Sequence, residues 1–136
     1  MLLKQNTNIL IKNSPEKIWD YAHDPVNWTA SNPEEHQGLV FNSKDNRPHT
    51  GVTFHQKETV ANFYADLNGQ VLYADRPNVL VWTGVATYPL FIFKIRIPEG
   101  GLLTLEEKTE GTLLNHNVFM DFSDSIYGEN YSLVFC

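Results

Sequence analysis

The 136 residues, with a formal net charge of −6, suit one domain over residues 1–136, large enough to bury a core without disulfide staples. Lysines and arginines are scattered along an acidic chain, which argues against nucleic acid and anionic membrane as main partners. No apolar run approaches the roughly 18 residues of a membrane span, the single cysteine is Cys136, and Met1-Leu2-Leu3-Lys4-Gln5-Asn6 lacks the pattern of a signal peptide, so the expected setting is cytoplasmic. The sequons Asn27-Trp28-Thr29 and Asn130-Tyr131-Ser132 are then chance matches.

In chain order, Ile9-Leu10-Ile11 reads as a strand that runs at once into a helix. Ser14 is suited to cap it, Pro15 needs no N–H at the first helical position, and Glu16 places negative charge at the positive end. Ile18, Tyr21 and Ala22 share one face. Further Pro-led starts follow at Asp24-Pro25 and Asn32-Pro33-Glu34-Glu35, giving two or three short helical pieces. Everything after about residue 36 reads as strand: residues 35–42, 51–58 and 63–75, then 79–86, 91–97, 102–108 and 112–122. Tyr88-Pro89 is expected to break the fifth strand region, and Pro98-Glu99-Gly100-Gly101 to turn between residues 91–97 and 102–108. Asn68-Gly69 matches a two-residue hairpin. Arg76-Pro77-Asn78 is the better-placed turn, so Gly69 is expected inside a strand at a bulge.

Alternation separates the faces. Phe91, Phe93, Ile95 and Ile97 oppose Lys94 and Arg96; Thr112, Leu114, His116, Val118, Met120 and Phe122 oppose Asn115, Asn117 and Asp121. A strand, a short helix pair and a long antiparallel meander resemble the START-like, or SRPBCC, superfamily, in particular its polyketide cyclase/dehydrase and lipid-transport branch, with the birch-pollen-allergen-like proteins. The matching segments are residues 9–28, Gly51-Val52-Thr53-Phe54, Gly69-Gln70-Val71 leading to Arg76-Pro77-Asn78-Val79-Leu80-Val81-Trp82, and Leu103-Thr104-Leu105-Glu106 leading to Gly111-Thr112. The resemblance implies an α+β helix-grip fold: about seven antiparallel strands curved around a C-terminal helix, with ligands held between helix and sheet. Residues 123–136 leave room only for a shortened helix, with Tyr127, Tyr131, Val134 and Phe135 at roughly helical spacing. A concave face covered only in part could pair two copies as a homodimer.

His116 is the candidate catalytic residue, since its parity puts an imidazole on an apolar face; a satisfied histidine at the cavity edge is the plainer alternative. His55 has solvent parity. Asp66 and Gln56 could reach a pocket, depending on register. Glu106, Glu107, Glu110, Asp121 and Asp124 fall on strand ends and turns and read as solvated surface. No histidines or cysteines stand at metal-ligand spacing, so neither a metal nor a cofactor is implied. The candidate ligand-binding wall is Trp28, Phe54, Tyr73, Trp82, Phe93, Leu103, Leu105, Leu114, His116, Val118 and Met120, with packed core as the alternative for each aromatic. Three functions remain open: binding of a small hydrophobic molecule such as a lipid or polyketide, cyclase/dehydrase-type catalysis with His116 moving protons, and a non-catalytic protein-interaction domain. An apolar cavity with one histidine would favour the first, and three converging polar groups the second.

Overall fold

The computed structural model describes residues 2–60, 62–90, 92–122 and 133–135. Strand β1 (Leu2–Ile11) leads into helix α1 (Pro15–Ala22), and α2 (Pro25–Ser31) follows. The Ser14 hydroxyl accepts from the Lys17 N–H at 3.3 Å, and the Asp24 carboxylate accepts from the Val26 N–H at 3.0 Å, so each Pro-led start carries a side-chain cap. The third start is only a turn. Glu35 and His36 both donate to the Asn32 carbonyl, and the chain goes straight into β2 (His36–Phe41).

β3 (Thr53–Val60), β4 (Phe63–Asp75), β5 (Val79–Leu90), β6 (Phe93–Lys108) and β7 (Gly111–Asp121) complete a meander. All pairings are antiparallel, in the order β1-β7-β6-β5-β4-β3-β2. The short β8 (Leu133–Phe135) pairs with β6 beyond the end of β7. The helix expected over residues 123–136 lies outside the described residues except at Leu133–Phe135, which are strand.

Two expected breaks are not breaks. β5 runs through Tyr88-Pro89, and β6 runs through Pro98-Glu99-Gly100-Gly101. Both prolines sit where no ladder bond is needed on one side. Among the described residues, β4 pairs with β5 only as far as Thr87, and neither β7 nor β8 pairs with β6 between Ile95 and Glu99. Gly101 belongs to the strand because a Cβ there would overlap the Trp82 indole. β4 likewise runs through Asn68-Gly69 in unbroken register with β3; the hairpin is absent, and the bulge lies three residues on, between Val71 and Tyr73. A Cβ at Gly69 would overlap the Phe54 ring and the Thr83 carbonyl. The turn at Arg76-Pro77-Asn78 forms as expected.

Strand parity and burial define the inner face. Its centre is Phe54, Leu67, Val71, Leu80, Leu103 and Leu105, closed at one end by Ile18 and Trp19 of α1. Thr112, fully buried, ties β7 to the start of α1 by donating to the Asn13 carbonyl at 2.7 Å. Among the described residues no helix is long and apolar enough to cross a membrane.

Candidate binding site

The unbroken β6 has a direct chemical result. Ile95, Ile97, Glu99, Gly101, Leu103 and Leu105 form one inward row, so Glu99 enters the apolar face instead of capping a turn. It is 6% exposed. Burial pushes its carboxyl up to about 8, with the charge of Glu58 adding to the shift. Glu58, on the inner side of β3, is also raised by burial, against the pull of a hydrogen bond from Gln56 at 3.0 Å. Gln56 in turn accepts from the Trp28 indole N–H at 3.1 Å. Tyr88, inward on β5 and half-buried, is pushed up to about 12 by burial, then by Glu58 and Glu99. The floor between these groups is small: Gly84, Ala86 and Ala65.

Two histidines stand toward the α1 end. His116 is half-buried on β7, opposite Leu103 and Thr7, and burial lowers its pKa. His23, the C-cap of α1, packs edge-on against Trp19 with ring centroids 4.4 Å apart. Burial drives its pKa down to about 4, and it feels the charge of His116. Its Nδ1 is buried with no hydrogen-bond partner among the described residues.

The structure gathers most of the expected wall. Phe54, Leu103 and Leu105 are buried on the inner face, and Trp82, Leu114, His116, Val118 and Met120 are half-buried there. Phe54 meets Trp82 edge-on at 5.9 Å. Trp28 reaches the same face through Gln56 and stacks on His36 at 4.3 Å. Tyr73 is a correction. The bulge before it reverses parity, it pairs with the outward Val81, and it is exposed. The side chain of Phe93 lies outside the described residues. Gln56 faces inward, whereas Asp66 pairs with His55 across the outer face at 3.0 Å. Glu58, Tyr88, Glu99 and His23 were not foreseen as site residues. Treating residues 93–105 as one alternating run would have exposed Glu99.

Two open depressions lie elsewhere. One, of about 690 Å³, is on the outer face over Gly69 and Gly84. The other, of about 440 Å³, lies between α1 and the 43–50 loop. There Asp20 is held by Arg76 through two 2.8 Å hydrogen bonds, and His49 by Asp45. Its charges are therefore largely mutually satisfied. Among the described residues no group of three or more potential ligands could hold a metal ion.

No family model matches the sequence, and neither does any curated protein. Solved structures do match. An uncharacterised protein of Rhizobium leguminosarum aligns at 13% identity and TM-score 0.67, covering 96% of this chain and 83% of that one. Major latex-like protein 151 of Panax ginseng aligns at 13% identity and TM-score 0.62, covering 88% and 79%. The di-domain ARO/CYC BexL of the BE-7585A biosynthetic pathway aligns at 8% and TM-score 0.59, covering 88% of this chain and 36% of that one. The chain thus has the START-like, helix-grip fold: a curved antiparallel sheet of seven strands in its main path, with two short helices and the added β8.

Proposed function

We propose that the protein binds a small hydrophobic molecule against the concave face of its sheet. The observation that carries this reading is the composition of that face. Buried Leu67, Val71, Leu80, Leu103 and Leu105 surround a floor of Gly84, Ala65 and Ala86, and Gln56, Glu58, Tyr88, Glu99 and His116 are the inward polar groups among them. That is the chemistry of a ligand site, mostly apolar with a small number of orienting groups. Titration with a fatty alcohol, a sterol and a planar aromatic polyphenol, followed by tryptophan emission, tests it. Trp28 and Trp82 border the face, so binding should shift their emission; no shift with any of the three would count against it. A homodimer through the inner face and the β1 edge is a compatible arrangement, supported by the exposure of Leu2, Leu3, Ile9 and Leu10. Light scattering tests it, and a monomer at all concentrations would refute it.

A second reading, proton-transfer catalysis of the cyclase/dehydrase type, is favoured by the number of inward polar groups: Gln56, Glu58, Tyr88, Glu99 and His116. Under it, the protonated Glu99 carboxyl donates to a ligand carbonyl and His116 accepts a proton. Deuterium exchange into the carbon next to the carbonyl of a bound ketone, faster with the protein than without, is the expected signature. Unchanged exchange would leave binding alone.

A further inference from the structure

A sheet edge presents unpaired N–H and C=O groups, and a long, flat edge left open is a template for another strand. The two edges of this sheet are β1 and β2, and they differ. β2 is six residues long, carries a bulge between His36 and Gly38, and has α2 packed against it. β1 is ten residues long, contains no proline, and keeps unbroken register with β7 from Leu2 to Ile11. Residues 2–10 are all exposed, and Leu2, Leu3, Ile9 and Leu10 lie between 44% and 51%. Among the described residues the only strand paired with β1 is β7.

The order of residues along β1 says what fits this edge. Leu2-Leu3 precede a polar run, Lys4-Gln5-Asn6-Thr7-Asn8, and Ile9-Leu10 follow it. The hydropathy reads the same in both directions, as an antiparallel copy of the strand would read it. Directly opposed residues in one sheet share a face, so a two-fold axis relating two such strands passes through a residue. An axis through Gln5 sets Leu2 against Asn8 and Leu3 against Thr7. One through Thr7 sets Leu10 against Lys4 and Ile9 against Gln5. The axis through Asn6 sets Leu2 against Leu10 on the outer face and Leu3 against Ile9 on the inner face, and leaves polar residues to meet polar ones. It also sets Lys4, the only charged residue of β1, against Asn8 and away from its own copy.

We infer that two copies of this chain join edge to edge along β1 into one continuous antiparallel sheet, with Asn6 of each copy at the two-fold axis. This rests on the homodimer reading above and fixes its interface and register. Asn6 is already held on the outer face: its amide donates to the side-chain oxygens of Asn115, at 2.8 Å, and of Asn117, and its own oxygen accepts from Asn8 at 2.6 Å. The axis extends this row of amides into the other copy. On the inner face Leu3 and Ile9 lie beside Met120 and Leu114, so the apolar wall of one copy runs on into the next. A single strand pair is a small interface, at or under the roughly 1,200 Å² that marks the low end of specific complexes, so the dimer is expected to dissociate at micromolar concentration.

Disulfide mapping in the full chain, with Cys136→Ser as background, tests the register. Directly opposed Cβ atoms lie about 4.5–5.5 Å apart, near enough to oxidise, whereas a four-residue offset adds roughly 13 Å. Asn6→Cys should cross-link to itself at least about tenfold more than Lys4→Cys or Asn8→Cys does alone, and an equal mixture of those two should cross-link to each other. The mixture reads the same register should Asn6→Cys fold poorly. Leu2→Lys combined with Leu10→Lys sets ammonium against ammonium at both ends of the ladder; it should weaken dimerisation by at least about tenfold, by light scattering across concentration, with the circular dichroism unchanged. Cross-linking at Gln5→Cys or Thr7→Cys in place of Asn6→Cys overturns the register. A dimer that survives the double substitution and does not cross-link through β1 overturns the inference and leaves a homodimer through the inner face standing. A monomer at every concentration refutes both.

Discussion

Glu99 of β6 stands directly opposite Gly84 of β5, and Gly84 stands opposite Gly69 of β4, so a buried carboxyl group lies beside two successive positions with no side chain. A Cβ at Gly69 would meet the Phe54 ring and one at Gly84 the Leu67 side chain, so the glycines let neighbouring apolar groups pack down beside the acid.

Glu99 should make stability fall as pH rises. Its folded-state pKa of about 8 lies above the ordinary 4.5, so the folded state holds the proton more tightly. The stability is intact at low pH and is lost progressively from about pH 4.5 up through 8, by at most about 5 kcal/mol. Glu99→Gln should remove this slope and be the more stable form at pH 8.5. Urea unfolding across pH 5 to 9 measures it, and a variant with the wild-type slope would contradict the assignment.

His23 should act in the opposite sense. Its folded pKa of about 4 lies below the ordinary 6.5, so stability is lost as pH falls from 6.5 through 4. The full loss is at most about 3 kcal/mol. His23→Phe keeps the ring against Trp19 and removes the unpartnered Nδ1. It should gain stability over wild type at pH 4.5 by about 1–3 kcal/mol, with a smaller difference at pH 7.5. Denaturant midpoints at the two values check the sign.

Gly69→Ala should cost about 2–3 kcal/mol, because its Cβ meets the Thr83 carbonyl and the Phe54 ring and β4 cannot shift without disturbing two neighbours. Gly38→Ala, on the edge strand β2 with nothing near its Cβ, should change stability by less than about 0.5 kcal/mol. Equal melting shifts for the two would refute the packing argument.

Ser14→Ala should cost about 1 kcal/mol through loss of the bond to the Lys17 N–H. Ser14→Asp should restore most of it. Thermal unfolding of both variants decides this.

What could be read from the sequence was local. Ser14-Pro15 and Asp24-Pro25 announce helices whose caps need only neighbouring residues, and alternation in residues 112–122 identifies an inward face without knowledge of its partners. Misplaced features depend on pairing. Pro98 and Gly100-Gly101 look like a turn until it is seen that neither β7 nor β8 pairs with β6 at Pro98 and that the Trp82 indole needs Gly101. Tyr73 looks inward until the bulge before it flips its parity. A bulge is set by strain in the whole ladder, and residues 71–73 carry no signal of it. The missed polar groups follow from the same cause. Glu99 reads as a turn residue unless the strand is continuous, and Glu58 and Tyr88 gain meaning only when Glu99 is placed near them.

The most direct test of the central claim is where a bound apolar molecule perturbs the protein. With methyl-labelled protein, NMR titration with 1-decanol should shift the methyls of Ala65, Ala86, Leu103, Leu105, Val118 and Met120, and leave those of the outward Val40, Val81 and Val85 unchanged. Shifts confined to Val40, Val81 and Val85, or no shifts at saturating ligand, would contradict a binding site on the concave face.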